Sequence, residues 1–223
     1  MQDPLHTEYR TRISEYVQQH PAVLARYQAE EVHVQPEHVL LEQASRPKGV
    51  FILTSGLLKV TRTTAAGQFF TLGVFERGEI VGDVEAILQI PHFCTVQALT
   101  ECRFMYITGE QFLKMLAQEA AFNLLVHRST ASKMLNTSHK AAIQSTNRLL
   151  YSLLIVLREL SRLNELQISK SLLSEFLGTS IRNLNRLLAQ IEAEGIVQMK
   201  GAVLQTIQLP LLEKRILHYE FDL

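Results

Sequence analysis

The chain has 223 residues, 47% of them hydrophobic and 20% charged, and its 22 Lys and Arg are balanced by 22 Asp and Glu. That composition excludes a disordered, fibrous or strongly basic chain and suffices for one or two packed domains. No apolar run approaches the roughly 20 residues that cross a bilayer. The opening MQDPLHTEYR has no apolar signal core, and two cysteines, Cys94 and Cys102, fit neither a disulfide framework nor a four-thiolate cluster. The expectation is a cytoplasmic protein with no cofactor, no metal and no membrane partner.

From about Val32 to Ile107 the apolar pattern is short and strand-like: segments begin at His38, Gly49, Gly56, Phe69, Val96 and Cys102, separated by Pro47, Gly56, Gly67, Gly78, Gly82 and Pro91. Many short strands punctuated by glycine predict an antiparallel barrel or jelly roll. Phe51, Phe70, Phe75, Leu88 and Phe104 read as its packing, and no helical period competes there. After Ile107 the period changes at a capping box, Thr108-x-x-Gln111. Helix-like sequence then runs nearly unbroken to about Leu163.

Within that run Leu124, Ala131, Leu135, Ser138 and Ala142 recur at spacings of 7, 4, 3 and 4, with Arg128 interrupting. A seam of small and apolar residues lets two copies approach closely; packing on the chain's own barrel is the alternative. Lys133, Lys140 and Arg148 are scattered on helical faces and read as solubilising charges. Leu149, Leu150, Leu153, Leu154, Leu157 and Leu160 then predict the core of a C-terminal domain. The boundary falls near Ala142 to Thr146, giving a barrel at 1–117, a dimerisation helix at 118–144 and a third segment at 145–223.

Residues 168–207 carry the most information. Ser169 can cap a helix from Lys170 to Leu177, Gly178 permits a tight turn, Ser180 caps a second helix, and Gly195 ends it. Leu173, Leu177, Leu184, Leu187, Leu188 and Ile191 face inward. Ile181, Arg182, Asn183, Asn185 and Arg186 face outward near the start of the second helix, where side chains can reach base edges in a major groove. Two strand-like pieces around Gly201 make a wing. Lys170, Thr179, Ser180 and Lys200 complete the set of DNA-contact candidates. Residues 145–223 carry 9 Lys and Arg against 8 Asp and Glu, a net +1, so tight binding calls for two reading heads.

From about residue 30 onward the chain resembles the Crp/Fnr family of bacterial transcription regulators. The resemblance is carried by VFILTSGLLKV at 50–60, Gly67, Gly78, Val81-Gly82-Asp83, LSEFLGTSIRNLNRLL at 173–188 and Glu194-Gly195-Ile196. The Ser-x-Arg-x-Leu form at 180–184 looks most like the YeiL-type branch. The resemblance implies an α+β fold: an N-terminal double-stranded β-helix (jelly-roll) barrel, a long dimerisation helix and a C-terminal winged helix-turn-helix. It implies a homodimer on a near-palindromic duplex DNA site, with RNA polymerase as a further partner, and no enzyme. Arg186 falls where the family keeps an arginine on its recognition helix, and Arg182 where many members place a base-reading glutamate. The effector pocket falls at Asp83, Ala86, Thr95 and Val96. In cyclic-nucleotide-binding members a Gly-Glu pair meets the ribose and an arginine just before the next strand pairs with the phosphate. Gly82-Asp83 is a shortened version of the first, and PHFCT at 91–95 has no arginine, so cyclic AMP is not the expected effector.

Two readings from other classes stay open. One is a protein–protein regulatory module with a docking barrel. The other is a metal-dependent cupin-type enzyme using His33 and His38 with Glu37 and Glu42, although Pro36 interrupts that spacing. No phosphate loop, G-x-S-x-G elbow or H-E-x-x-H motif is present. Cys94 and Cys102 are read as small apolar residues, with a redox pair as the alternative.

Overall fold

The computed structural model describes the backbone of residues 4–65, 67, 69–145, 149–163 and 167–221, and the side chains of 8–65, 67, 69–138, 149–163 and 167–217. The chain divides into two compact units, one of residues 2–67 and 72–136, the other of 137–223 with the short stretch 68–71.

The first unit opens with two helices that the apolar pattern does not announce, α1 (Pro4–Gln19) and α2 (Pro21–Arg26). Helix α1 buries Ile13, Tyr16 and Val17 at helical spacing, but also Arg10 and Ser14. Arg10 lies 3.6 Å from Glu76, and Arg77 donates to the Ser14 hydroxyl. The α1 backbone comes so close to the next turn that a Cβ on Gly78 would sit 1.9 Å from the Arg10 carbonyl, and Gly78 has φ +88°. Only glycine satisfies both conditions.

The strands are β1 (Glu30–Val34), β2 (Val39–Leu41), β3 (Val50–Ser55), β4 (Leu58–Thr63), β5 (Phe69–Phe75), β6 (Ile80–Val81), β7 (Thr95–Ala98) and β8 (Cys102–Ile107). They form two four-stranded sheets, β1-β8-β3-β6 and β2-β7-β4-β5. The pairs β1–β8, β3–β8, β3–β6, β2–β7 and β4–β7 are antiparallel, for example Leu53 opposite Phe104 and Val60 opposite Val96. The near-continuous apolar run of β3 follows from burial on both faces. Phe51 and Leu53 join Leu41, Leu58, Val96, Ala98, Cys102 and Phe104 in a core shared by both sheets. Val50 and Ile52 join Ile13, Tyr16, Phe112, Met115, Phe122 and Val126 in a second core under the helices.

Three details depart from the sequence-based expectation. A short helix, α3 (Asp83–Leu88), interrupts the strand region, and Leu88 at its end is 59% exposed rather than barrel packing. The helical run after Ile107 breaks at Glu119 into α4 (Gly109–Gln118) and α5 (Ala120–Ser145). Helix α6 covers Leu149–Leu160. The Thr108 hydroxyl does accept the Gln111 amide, capping α4. At the break, Glu119 meets Arg26 at 3.0 Å and accepts from the Tyr27 hydroxyl at 2.9 Å. These partners lie more than 90 residues away in sequence.

In the second unit α6 packs on α7 (Lys170–Leu177) and α9 (Leu209–Phe221), and α7 on α8 (Ile181–Ala193), followed by the hairpin β9 (Val197–Lys200) and β10 (Val203–Ile207). Leu153, Leu154, Leu157, Leu173, Leu184, Leu188, Ile191, Leu212 and Ile216 are buried there. The segment before α7 closes on the hairpin: Lys170 N–H donates to Ala202 and Leu204 N–H to Ile168, each at 2.8 Å, and Ser169 bridges Val203. Among the described residues no helix is long and apolar enough to cross a membrane.

Candidate nucleic-acid interface and barrel site

The Ser169 hydroxyl accepts the Leu172 amide at 3.1 Å, and the Ser180 hydroxyl accepts the Asn183 amide at 3.3 Å. Each satisfies a helix-start donor that would otherwise lack a partner. Between them Gly178, at φ +57°, turns the chain in the left-handed region. Leu184, Leu187, Leu188 and Ile191 are all at most 3% exposed and fix the face of α8. The opposite face leaves Ile181, Arg182, Asn185 and Arg186 exposed and Asn183 half-buried.

These side chains differ in their local partners. Asn183 donates through Nδ2 to the Thr179 hydroxyl at 3.0 Å, and its Oδ1 accepts from Arg186 Nη2 at 3.3 Å. Asn183 therefore holds Arg186 rather than standing free. Arg182 makes no hydrogen bond or ion pair among the described residues. The carboxylates of this unit nearest the wing are occupied: Glu192 accepts the Met199 amide at 3.0 Å, and Glu194 pairs with Arg215 at 2.9 Å. Lys200 is exposed beside the hairpin turn, Lys170 is half-buried at the start of α7, and Ser180 is exposed.

On α5, Leu124, Ala131, Leu135 and Ser138 are exposed, together with Met134 and Arg128, while Phe122, Val126, Ser129 and Ser132 are buried on the other side. The side chain of Ala142, the last seam position, and the predicted boundary near 142–146 lie outside the fully described residues.

Of the expected effector-pocket residues, Asp83 and Ala86 are buried on α3, Val96 is buried on β7, and Thr95 is half-buried with its hydroxyl accepting the Gln43 amide at 3.1 Å. Asp83 faces the ammonium of Lys133 at 3.5 Å. The same ammonium lies 2.8 Å from Glu79 and donates to the Ile80 carbonyl at 2.6 Å. Lys133 is thus not a solubilising surface charge: it ties α5 to two carboxylates that are each at most 3% exposed. Its sequence neighbours gave no sign of this, because both carboxylates come from 50 or more residues away. Burial raises the Asp83 pKa, with Lys133 opposing. Burial also works against the Lys133 charge, but Asp83 and Glu79 outweigh it and hold the ammonium pKa above its ordinary value.

Phe93 lies in the segment 91–95, where the resemblance implies a phosphate-binding arginine and the chain has none. Its amide donates to the buried Glu85 carboxylate at 2.9 Å. A guanidinium reaches this corner from β4 instead: Arg62 donates to the Phe93 carbonyl at 2.9 Å and lies 3.4 Å over the ring. The adjacent Cys94 thiol is pushed up to about 11, by burial first and by Glu85 second. Cys102 is buried, donates to the Leu57 and Thr100 carbonyls at 3.3 Å, and is likewise raised by burial. His92 is buried, accepts the Lys48 amide on Nε2 at 3.2 Å, and has its pKa lowered by burial. His33 pairs with Glu31 at 3.2 Å, and among the described residues no three His, Cys, Asp or Glu are grouped to hold a metal.

Residues 31–119 match the model of the cyclic nucleotide-binding domain. The cyclic AMP receptor protein of Thermus thermophilus is 25% identical over 177 residues, 77% of this chain and 81% of that protein. An uncharacterised ABC transporter ATP-binding protein of Mycobacterium tuberculosis is 25% identical over 104 residues, 47% of this chain; the match spans 32% of that protein, about a third of its length. Among solved structures, a transcriptional regulator of the Crp/Fnr family from Thermus thermophilus superposes with a TM-score of 0.68 at 18% identity, covering 84% of this chain and 98% of that one. That last likeness is one of fold.

Proposed function

We propose that this chain, which carries a cyclic nucleotide-binding domain at 31–119 and has the fold of the Crp/Fnr transcription regulators, is a homodimeric, sequence-specific DNA-binding regulator of transcription. The carrying observation is the α7–turn–α8 unit with Arg182, Asn185 and Arg186 on the outward face of α8 and a hairpin behind it. The work is binding, not catalysis. Two copies pair through the exposed stripe of α5, Leu124, Ala131, Leu135 and Ser138, continued by Ala142. Their two α8 helices enter successive major grooves about 34 Å apart on a near-palindromic site. Lys170, Thr179, Ser180 and Lys200 take phosphates and fix the register, while Arg182 and Arg186 offer bidentate donors to guanine. RNA polymerase is the further partner, in the cytoplasm.

Cyclic AMP is not the effector in this reading, because the Asp83 carboxylate is engaged by Lys133 and the segment 91–95 holds no arginine. Thr95 and Val96, with Ala86, remain the residues for contact with a different effector. Titration calorimetry with cyclic AMP is expected to show no micromolar binding.

The test of the main reading is selection of sites from a random duplex library by the wild type and by Arg182→Ala and Arg186→Ala. Enrichment of a two-fold-symmetric motif, weakened or relaxed in both variants, is the expected outcome. Affinity should also fall steeply with salt, as counterion release requires. A protein that enriches nothing, or whose binding ignores salt, is not this regulator.

A further inference from the structure

We infer that Ile181 reads the C5-methyl group of a thymine in each half-site, next to the base read by Arg182; this rests on the DNA-binding reading above. Ile181 is the first residue of α8, directly after the Ser180 cap, and is 44% exposed. One and two turns on, Leu184 and Leu188 are 0% and 2% exposed and fill the core of this unit, which Ile181 does not enter. Nor does helix formation call for it, since a β-branched residue is a poorer helix former than the Lys, Glu or Gln that solvent-facing positions favour.

At about 100° per residue, Ile181, Asn185, Arg182 and Arg186 share an arc of about 140°. Over the first two turns of α8 that arc holds one apolar side chain, two guanidinium groups and an amide, and no acid. The acids of α8 and its cap, Glu192 and Glu194, lie at the far end and are already bonded. Such an arc fits the floor of a major groove, where the N-terminal turn of a reading helix goes deepest and thymine presents the one apolar group. A protein partner would be a poor match for an isolated apolar side chain flanked by two arginines, one of them without a partner in the described structure.

The side chains at the start of α8 then divide in role. Arg182, without a bond among the described residues, is a guanine reader that adjusts freely to its base. Arg186, held by Asn183 and through it by Thr179, enters with its guanidinium already placed, so Asn183 is a positioning residue rather than a reader. Ile181 supplies the methyl contact.

The experiment uses the duplex enriched by the full-length protein. Each thymine of the half-site is replaced in turn by deoxyuridine, which deletes the methyl and nothing else. Loss of one buried methyl group corresponds to about a fourfold weakening per half-site, and about 15-fold when both half-sites are changed. One thymine position is expected to show this with the wild type at fixed salt. Ile181→Ala should lose the sensitivity at that position while keeping the salt slope and the circular dichroism spectrum of the wild type. Ile181→Val should retain part of it. If a motif is enriched but every thymine tolerates deoxyuridine, or if Ile181→Ala leaves the sensitivity intact, the methyl contact is refuted and DNA binding stands. If no motif is enriched, both fall together.

Discussion

Replacing Lys133 by methionine keeps the side-chain stem and deletes the ammonium between Glu79 and Asp83. Breaking a buried ion pair by removing one partner costs about 3–5 kcal/mol, because the remaining charges are left in a poor solvent. The Lys133 side chain keeps 23% of its surface exposed, and the residual water screens part of that loss. The lower end, about 3 kcal/mol, is the expectation at pH 8. In a chain of this size that lowers the melting temperature by about 6–12 °C. The deficit should shrink at pH 5. With no ammonium nearby, the folded-state pKa values of the two carboxylates rise above their unfolded values near 4. A group raised in this way is tolerated below its unfolded pKa and destabilises as pH climbs through the folded one. Thermal unfolding followed by circular dichroism at pH 5 and pH 8 checks this, alongside a triple variant that adds Glu79→Gln and Asp83→Asn. The triple variant should recover most of the loss at pH 8. A deficit below about 1 kcal/mol, an equal deficit at both pH values, or a triple variant no better than the single one would refute the buried-charge argument.

Gly78→Ala should destabilise by at least about 2 kcal/mol, since it combines a positive φ with a Cβ driven into the Arg10 carbonyl, and a melting curve within 1–2 °C of wild type would contradict it. His92 has a folded pKa pulled below its usual 6.5, so its contribution is present above that pH and is lost as pH falls through the region below it. Wild-type melting temperature should accordingly drop between pH 7 and pH 5.5, and His92→Gln should flatten that slope. Cys94, with a thiol near 11, should alkylate with iodoacetamide roughly a hundredfold more slowly at pH 7.5 than a free cysteine, read by mass spectrometry. Mild oxidant should leave DNA affinity unchanged; a fast-labelling Cys94 would revive the redox alternative.

What could be read from the sequence was local. Caps at Thr108, Ser169 and Ser180 depend on residues three apart, and all three hydroxyls accept the expected amides. The apolar run of β3 was visible for the same reason, as was the inward leucine pattern of α8. What escaped depends on distant partners. Nothing near Glu119 marks a break, because Arg26 and Tyr27 make it. Helix α1 hid its period because Arg10 and Ser14 share its buried face with Ile13, Tyr16 and Val17. Lys133 looked like one more scattered cation until folding brought Glu79 and Asp83 to it. At the interface the outward set was legible, yet the bond from Arg186 to Asn183, which separates a holder from a reader, was not.

The closure of the segment before α7 onto the hairpin has a thermodynamic consequence. Because Ile168 and Lys170 bond along β10 and its turn, β10 is the middle strand of a small three-stranded arrangement, with β9 on one side and the segment leading into α7 on the other. A free hairpin would have to surrender its flexibility each time it met a duplex, and that ordering subtracts from affinity. Here the ordering is completed during folding. A near-neutral reading head can then hold DNA with few charges, since little of its interaction energy is spent on becoming rigid.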